Sequence, residues 1–167
     1  FDTMSAATVN VTEEATIATL AGGDGDLTVN VSADVTITTL TQTNDTTITG
    51  TGDVTITNST DAESLDASGL TGEFTAISGD VDVTVLAGSG DMDLTWSGDA
   101  AVTAAIIGGA GDDTVDADAL TTGTIVFNAG LGADTLVLDN AGAATITFDG
   151  GDGTDTLQLA DATDITD

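Results

Sequence analysis

The 167-residue chain carries 29 acidic residues and no lysine, arginine or histidine, for a net charge of −29. An average soluble chain of this length has roughly 20 basic residues. Their absence excludes internal salt bridges, a phosphate clamp, and a cationic footprint for nucleic acid or anionic lipid. With His, Cys and Lys all missing, most general bases, covalent nucleophiles and soft-metal ligands are missing too. The composition disfavours an enzyme and leaves hard oxygen donors, the ligand type calcium prefers.

At 40% hydrophobic, the chain has enough apolar surface to bury a core. No apolar run nears about 18 residues, so membrane insertion is not expected. A chain that opens on Phe1 and stops at Asp167 in mid-pattern reads as an excised piece of a longer protein.

From the N-terminus, alternating runs such as LTVNV, DVTITTL and DVTITNS are separated by Gly-Asp or Asn-Asp punctuation, and proline is absent. Val, Ile, Thr and Leu in period-two alternation predict strands throughout. Self-comparison finds an offset of 20 and then 19, aligning Val9, Val29 and Ile48; Val11, Val31 and Gly50; Ala15, Val35 and Val54; and Ile17, Ile37 and Ile56. Residues 57–80 are the least regular part and thread as one imperfect unit through Leu65, Ala67, Phe74 and Ala76.

Beyond them the offset is 21. Gly88, Gly109, Gly130 and Gly151 align, as do Gly90, Gly111, Gly132 and Gly153. The apolar columns keep the same register: Val83, Ala104, Ile125, Ile146; Val85, Ile106, Phe127, Phe148; Leu94, Val115, Leu136, Leu157; and Trp96, Ala117, Leu138, Leu159.

Inward positions two apart, stacked at fixed offset, predict an all-β parallel β-solenoid of about eight coils of 19–21 residues with two strands each, about 38 Å long at a coil spacing of about 4.8 Å. The expected organisation is one continuous domain. Regular coils with short turns span 1–60, an irregular transition coil 61–86, and coils with long glycine-rich turns 87–167.

Aligned at offset 21, the long turns read AGSGDMDLT from Ala87, GGAGDDTVD from Gly108, AGLGADTLV from Ala129 and GGDGTDTLQ from Gly150. Three of them follow the nonapeptide G-G-x-G-x-D-x-U-x, apart from Ala129 at the first glycine. They resemble the RTX repeats of secreted bacterial proteins, over residues 87–159 and loosely at GGDGDLTVN, 22–30. The resemblance implies a right-handed β-roll that binds Ca2+ between adjacent coils. Its side-chain ligands would be Asp113, Asp134 and Asp155. The turn backbone of Gly108, Gly109, Ala110, Gly111, Gly130, Gly132, Gly151 and Gly153 would complete the shell, with Asp112 and Asp152 beside it. Met92 holds the ligand position in the first long turn, where Asp91 or Asp93 would have to substitute. With one nonapeptide per coil, a single row of about two to four ions is expected.

Physical arguments agree with that assignment. Aspartates about 5 Å apart repel by roughly 3 kcal/mol per pair at an effective dielectric near 20, and a divalent cation between coils would convert repulsion into coordination. The glycines suit turns whose backbone angles a Cβ would resist. A lone Gly-Asp turn merely reverses a chain, but three recur here in register.

Other features have plainer readings. The outward columns Thr8, Thr28, Thr47 and Thr16, Thr36, Thr55, with Thr38 and Thr57, form a threonine array that resembles the surface of solenoidal ice-binding proteins, although strand propensity alone accounts for it. Trp96 and Phe127 fall on inward columns and are expected in the core. Asp24 with Asp26, and Asp149 with Asp152, could be carboxylate pairs of a polysaccharide-active β-helix enzyme, but no cleft-building insertion accompanies them.

The RTX resemblance further implies type I secretion from a Gram-negative bacterium to the extracellular surface. The Thr-, Asp-, Ala- and Gly-rich composition resembles the solenoid portion of surface-layer proteins. The expected partners are copies of itself in a lattice or filament, and lipopolysaccharide bridged by calcium. An RTX adhesin stalk or ice-binding segment is the alternative.

Overall fold

The computed structural model describes residues 6–60, 64–78, 82–97, 102–138 and 144–159. The chain winds through successive coils. The first holds β1 (Ala7–Val11), β2 (Ala15–Ile17) and β3 (Leu20–Gly23), and the second β4 (Leu27–Val31), β5 (Val35–Ile37) and β6 (Leu40–Gln42). Then come β7 (Asp45–Gly50) with β8 (Val54–Thr60), β9 (Ser64–Leu70) with β10 (Phe74–Ser78), and β11 (Val83–Leu86) with β12 (Met92–Trp96). The last three coils hold β13 (Val102–Gly109) with β14 (Thr114–Asp116), β15 (Gly123–Gly132) with β16 (Thr135–Leu138), and β17 (Thr145–Asp149), β18 (Asp152–Gly153) and β19 (Thr156–Leu159).

Two parallel sheets result. One runs β1-β4-β7-β9-β11-β13-β15-β17 and the other β2-β5-β8-β10-β12-β14-β16-β19, so each sheet has eight rungs. This is the parallel β-solenoid expected from the repeat. A strand that buries alternate residues must present the same face in each coil, which fixes the register between coils.

The inward column of the first sheet is Ala7, Leu27, Thr46, Leu65, Val85, Ile106, Phe127 and Phe148. Across from it run Ile17, Ile37, Ile56, Ala76, Leu94, Val115, Leu136 and Leu157. Trp96 and Phe127 are buried as expected, and the Phe127 ring stacks on Phe148 at 5.5 Å between centroids.

The pairing revises three details. The first two coils are three-sided, because β3 pairs with β6 and β6 with the end of β8, where Leu40 lies beside Ser59. The irregular segment takes up its extra residues as register shifts, between Thr47 and Thr49 against β9 and between Ala76 and Ser78 against β8. Residues 61–63 and 79–81 of that segment lie outside the described residues.

The third revision concerns the turns. Val85 stacks on Leu65, Thr46 and Leu27, while Leu94 stacks on Ala76, Ile56 and Ile37. The segment from Val85 to Leu94 is thus the counterpart of Leu27 to Ile37, and the turns do not lengthen along the chain. What changes is the side chains they point inward. Each half of the chain matches itself at its own offset, and the shifts in β8 and β9 hide how the halves join.

Truncating the stacked pair tests the core. Phe127→Ala removes a fully buried ring and should destabilise the fold by about 3–5 kcal/mol, read as a lower denaturation midpoint with unchanged slope.

Candidate metal centre

One inward column explains the repeat motif. It begins with Ala15, Val35, Val54, Phe74 and Met92, each stacked on the next. The following coils place Asp113, Asp134 and Asp155 at the same position, one residue ahead of the paired Asp93, Thr114, Thr135 and Thr156. Asp113 and Asp134 are 0% exposed, and Asp155 at the last described rung is half-buried.

A neighbouring inward column shrinks in step. Val9, Val29 and Ile48 give way to Ala67, Ala87, Gly108, Ala129 and Gly150. A Cβ on Gly108 would fall on both Asp113 Oδ2 and the Ala129 carbonyl, and one on Gly150 would fall on Asp155 Oδ2. At Gly108 and Gly150 the first motif position is therefore an inward site kept small to admit the carboxylate of its own coil; Ala129 is the buried residue at the equivalent place.

Each inner carboxylate is held by the preceding coil. The Met92 N–H donates to Asp113 Oδ1 at 2.8 Å, the Asp113 N–H to Asp134 Oδ1 at 2.8 Å, and the Asp134 N–H to Asp155 Oδ1 at 3.2 Å. The second oxygens are left over: Asp113 Oδ2 and Asp134 Oδ2 are buried without a partner. Gln42 Oε1, Thr46 Oγ1 and Trp96 Nε1 share that condition, but a neutral group costs about 1–3 kcal/mol to strand, whereas an ionised carboxylate costs far more. Burial accordingly raises the Asp113 carboxyl from 3.8 to about 7, with Asp134, Asp91 and Asp112 adding repulsion and the Met92 hydrogen bond opposing. Asp134 is raised as well, again chiefly by burial.

A second ladder runs outside this one in two stretches, unseen in the sequence. Asp34 Oδ1 accepts the Asp53 N–H at 3.0 Å, and Asp53 Oδ1 accepts the Glu73 N–H at 2.9 Å. Asp91 Oδ1 accepts the Asp112 N–H at 2.9 Å, and Asp112 Oδ1 accepts the Ala133 N–H at 2.8 Å. These side chains are exposed. Aspartates one residue before the inward column, at 34, 53, 91 and 112, were the available signal; it becomes visible only once the two halves share a register.

The remaining candidates sort accordingly. Met92 keeps the inward position of its coil, while the Asp91 and Asp93 side chains are exposed, with Asp91 Oδ1 accepting the Asp112 N–H. Gly109, Gly130 and Gly151 have φ of 106°, 111° and 80°, and each lies against the carbonyl of the glycine one coil earlier, where a side chain has no room. Gly132 and Gly153 stack likewise on Gly111 and Gly132, and Gly111 on Gly90. Ala110 is exposed, with its N–H donating to the Gly88 carbonyl at 3.2 Å. Asp152 is exposed, its backbone paired with Leu131.

The loose match at residues 22–30 falls at the opposite corner, running from the end of β3 into β4, where the Asn44 amide donates to the Asp24 carbonyl at 2.6 Å. Asp24, Asp26, Asp149 and Asp152 are all exposed.

The chain matches no protein-family model, no curated protein and no solved structure. What can be said of the site rests on its own geometry.

Among the described residues no three acidic side chains converge on one point. A cation here would take one inner carboxylate per coil and draw its other donors from carbonyls, such as that of Ala129 beside Asp113. Hard oxygens, orphaned carboxylate atoms and a glycine-lined space suit calcium, which accepts mixed carboxylate and carbonyl shells. The bound ion would supply the positive charge that the composition otherwise lacks.

The raised carboxyls set a pH dependence for protein freed of divalent cations. Their folded-state values lie above the ordinary carboxylate value, so the stability they contribute is complete below about 4 and is lost as pH rises through about 7 for Asp113. In chelator, the melting temperature should be higher at pH 5.5 than at pH 8, and Asp113→Asn should flatten that slope; an unchanged slope in the variant would contradict the assignment.

Proposed function

We propose that this chain is a calcium-binding structural module of an extracellular bacterial surface lattice or filament, which folds and self-assembles when calcium is bound. The observation that carries the reading is the inward column in which Met92 is followed by Asp113, Asp134 and Asp155, with orphaned buried oxygens on the first two. A core position occupied by stacked carboxylates is consistent with a cation being part of the folded state. Calcium is the ion that best suits the donors, and the role assigned to the module is mechanical and not catalytic.

The mechanism is linkage. Where calcium is scarce, repulsion within a chain of net charge −29 opposes compaction. Where it is abundant, an ion that binds only the folded state stabilises it by mass action. Such a chain would leave a Gram-negative cell unfolded, by type I secretion, and fold outside. Copies of the chain, and surface lipopolysaccharide bridged by calcium, are the partners this reading assigns.

Circular dichroism and electron microscopy of the protein in calcium and then in EDTA test the proposal. Chelation should diminish the strand signal and disperse assemblies, and Asp134→Asn should raise the calcium concentration needed to restore them. Spectra and assemblies indifferent to chelation would remove the calcium reading.

One observation favours a second reading. Thr16, Thr36, Thr55, Thr75, Thr114, Thr135 and Thr156 form a single outward row, interrupted by Asp93. Hydroxyls and methyls repeating about every 4.8 Å suit an ordered surface such as ice, as an adhesin's ice-binding segment would need. Inhibition of ice recrystallisation that is lost in Thr36→Tyr/Thr55→Tyr would support this role, and absence of inhibition by the parent protein would end it.

A further inference from the structure

The two halves of the solenoid differ in what fills the same inward positions, and that difference extends the calcium reading, on which the following rests. We infer that the coils up to Trp96 fold without calcium and form a template, on whose last rung the coils from Val102 onward are built only as calcium binds.

In the template, the column that later carries aspartate holds Val35, Val54, Phe74 and Met92, each no more than 2% exposed. The adjoining column holds Val29 and Ile48, both at 0%. These coils close their core with hydrocarbon on both sides of the turn, and their outer acidic side chains remain in water, where each needs only the next coil's N–H. Among the described residues of this half, no carboxylate is buried.

Beyond Trp96 the same two positions become Asp113 opposite Gly108, Asp134 opposite Ala129, and Asp155 opposite Gly150. Each of these coils loses the apolar side chain at the Met92 position and gains a carboxylate inside the core, and at Gly108 and Gly150 the adjoining apolar side chain is lost as well. Without a counter-ion, these coils have less apolar burial to offset a carboxylate held inside the core.

The boundary rung is built for the hand-over. Coil five offers the next coil a donor, the Met92 N–H, and an acceptor, Asp91 Oδ1. Asp113 and the Asp112 N–H engage them, and coil six then offers the equivalent pair, the Asp113 N–H and Asp112 Oδ1, to Asp134 and Ala133. Each ion site is thus assembled against a rung that already presents its hydrogen-bonding groups, so growth runs from Met92 toward Asp155.

Hydrogen exchange read by mass spectrometry on the full chain, in calcium and in EGTA at matched ionic strength, tests this. Chelation should accelerate amide exchange in peptides from 102–159 by about a hundredfold or more, while peptides from 27–56 keep their protection. If both regions lose protection together, the partition is wrong although calcium dependence stands. If neither changes, the calcium reading fails and the partition with it. A variant gives an independent check: Asp113→Met/Asp134→Met continues the column as Met92 does, opposite residues no larger than Ala87. It should keep 102–138 protected in EGTA, and protection still lost there would overturn the inference. Should that variant not fold, the parent protein's exchange pattern decides alone.

Discussion

A carboxylate that points into a protein core must be neutralised, hydrogen-bonded at both oxygens, or protonated. In this solenoid the parallel register stacks each inward residue on its counterpart one coil away, so a single inward aspartate becomes a column. Backbone N–H groups satisfy one oxygen of Asp113 and of Asp134 and leave the other without a partner among the described residues. With no lysine, arginine or histidine in the chain, no basic side chain is available to pair with it. The glycines at 108 and 150 and the raised carboxyls of Asp113 and Asp134 follow from accommodating this column.

The same register explains how one backbone serves two kinds of core. Val35, Val54, Phe74 and Met92 occupy the position that Asp113 and Asp134 occupy later in the same sheet. Hydrocarbon stabilises a coil under all conditions, whereas a carboxylate stabilises one only when matched by charge or a proton. The same inward position can thus be filled by hydrocarbon or by a carboxylate within one parallel register. The outer ladder, running from Asp34 to Asp112, shows the contrast: the same side chain one residue earlier lies in water and serves as an ordinary acceptor between coils.

Much of this was legible in the residues because solenoid repeats are local in sequence. Val83, Ala104, Ile125 and Ile146 stand 21 apart, and one coil pairs only with its neighbours, so offset and register coincide. The same holds for Ala15, Val35 and Val54 at offsets of 20 and 19. The aspartates at 113, 134 and 155 were visible as a column for that reason. What escaped was the join. Where β8 and β9 shift register, fixed offsets stop reporting neighbours, and the halves seemed to differ in turn length. The short third strands β3 and β6 were missed as well, since two coils are too few to establish a pattern.

Composition and periodicity by themselves determined a parallel solenoid, its inward columns, and a chain unable to neutralise its own charge, because those properties depend only on residue type and spacing. Only the tertiary structure decided that Met92 and Asp113 share one inward position, that Asp91 and Asp93 do not, and that Asp112 faces water while Asp113 does not. The physical reason is that side-chain direction in a strand has a period of two. Adjacent aspartates are chemically identical in sequence, and alternation with the buried Val115 turns Asp113 inward and Asp112 out.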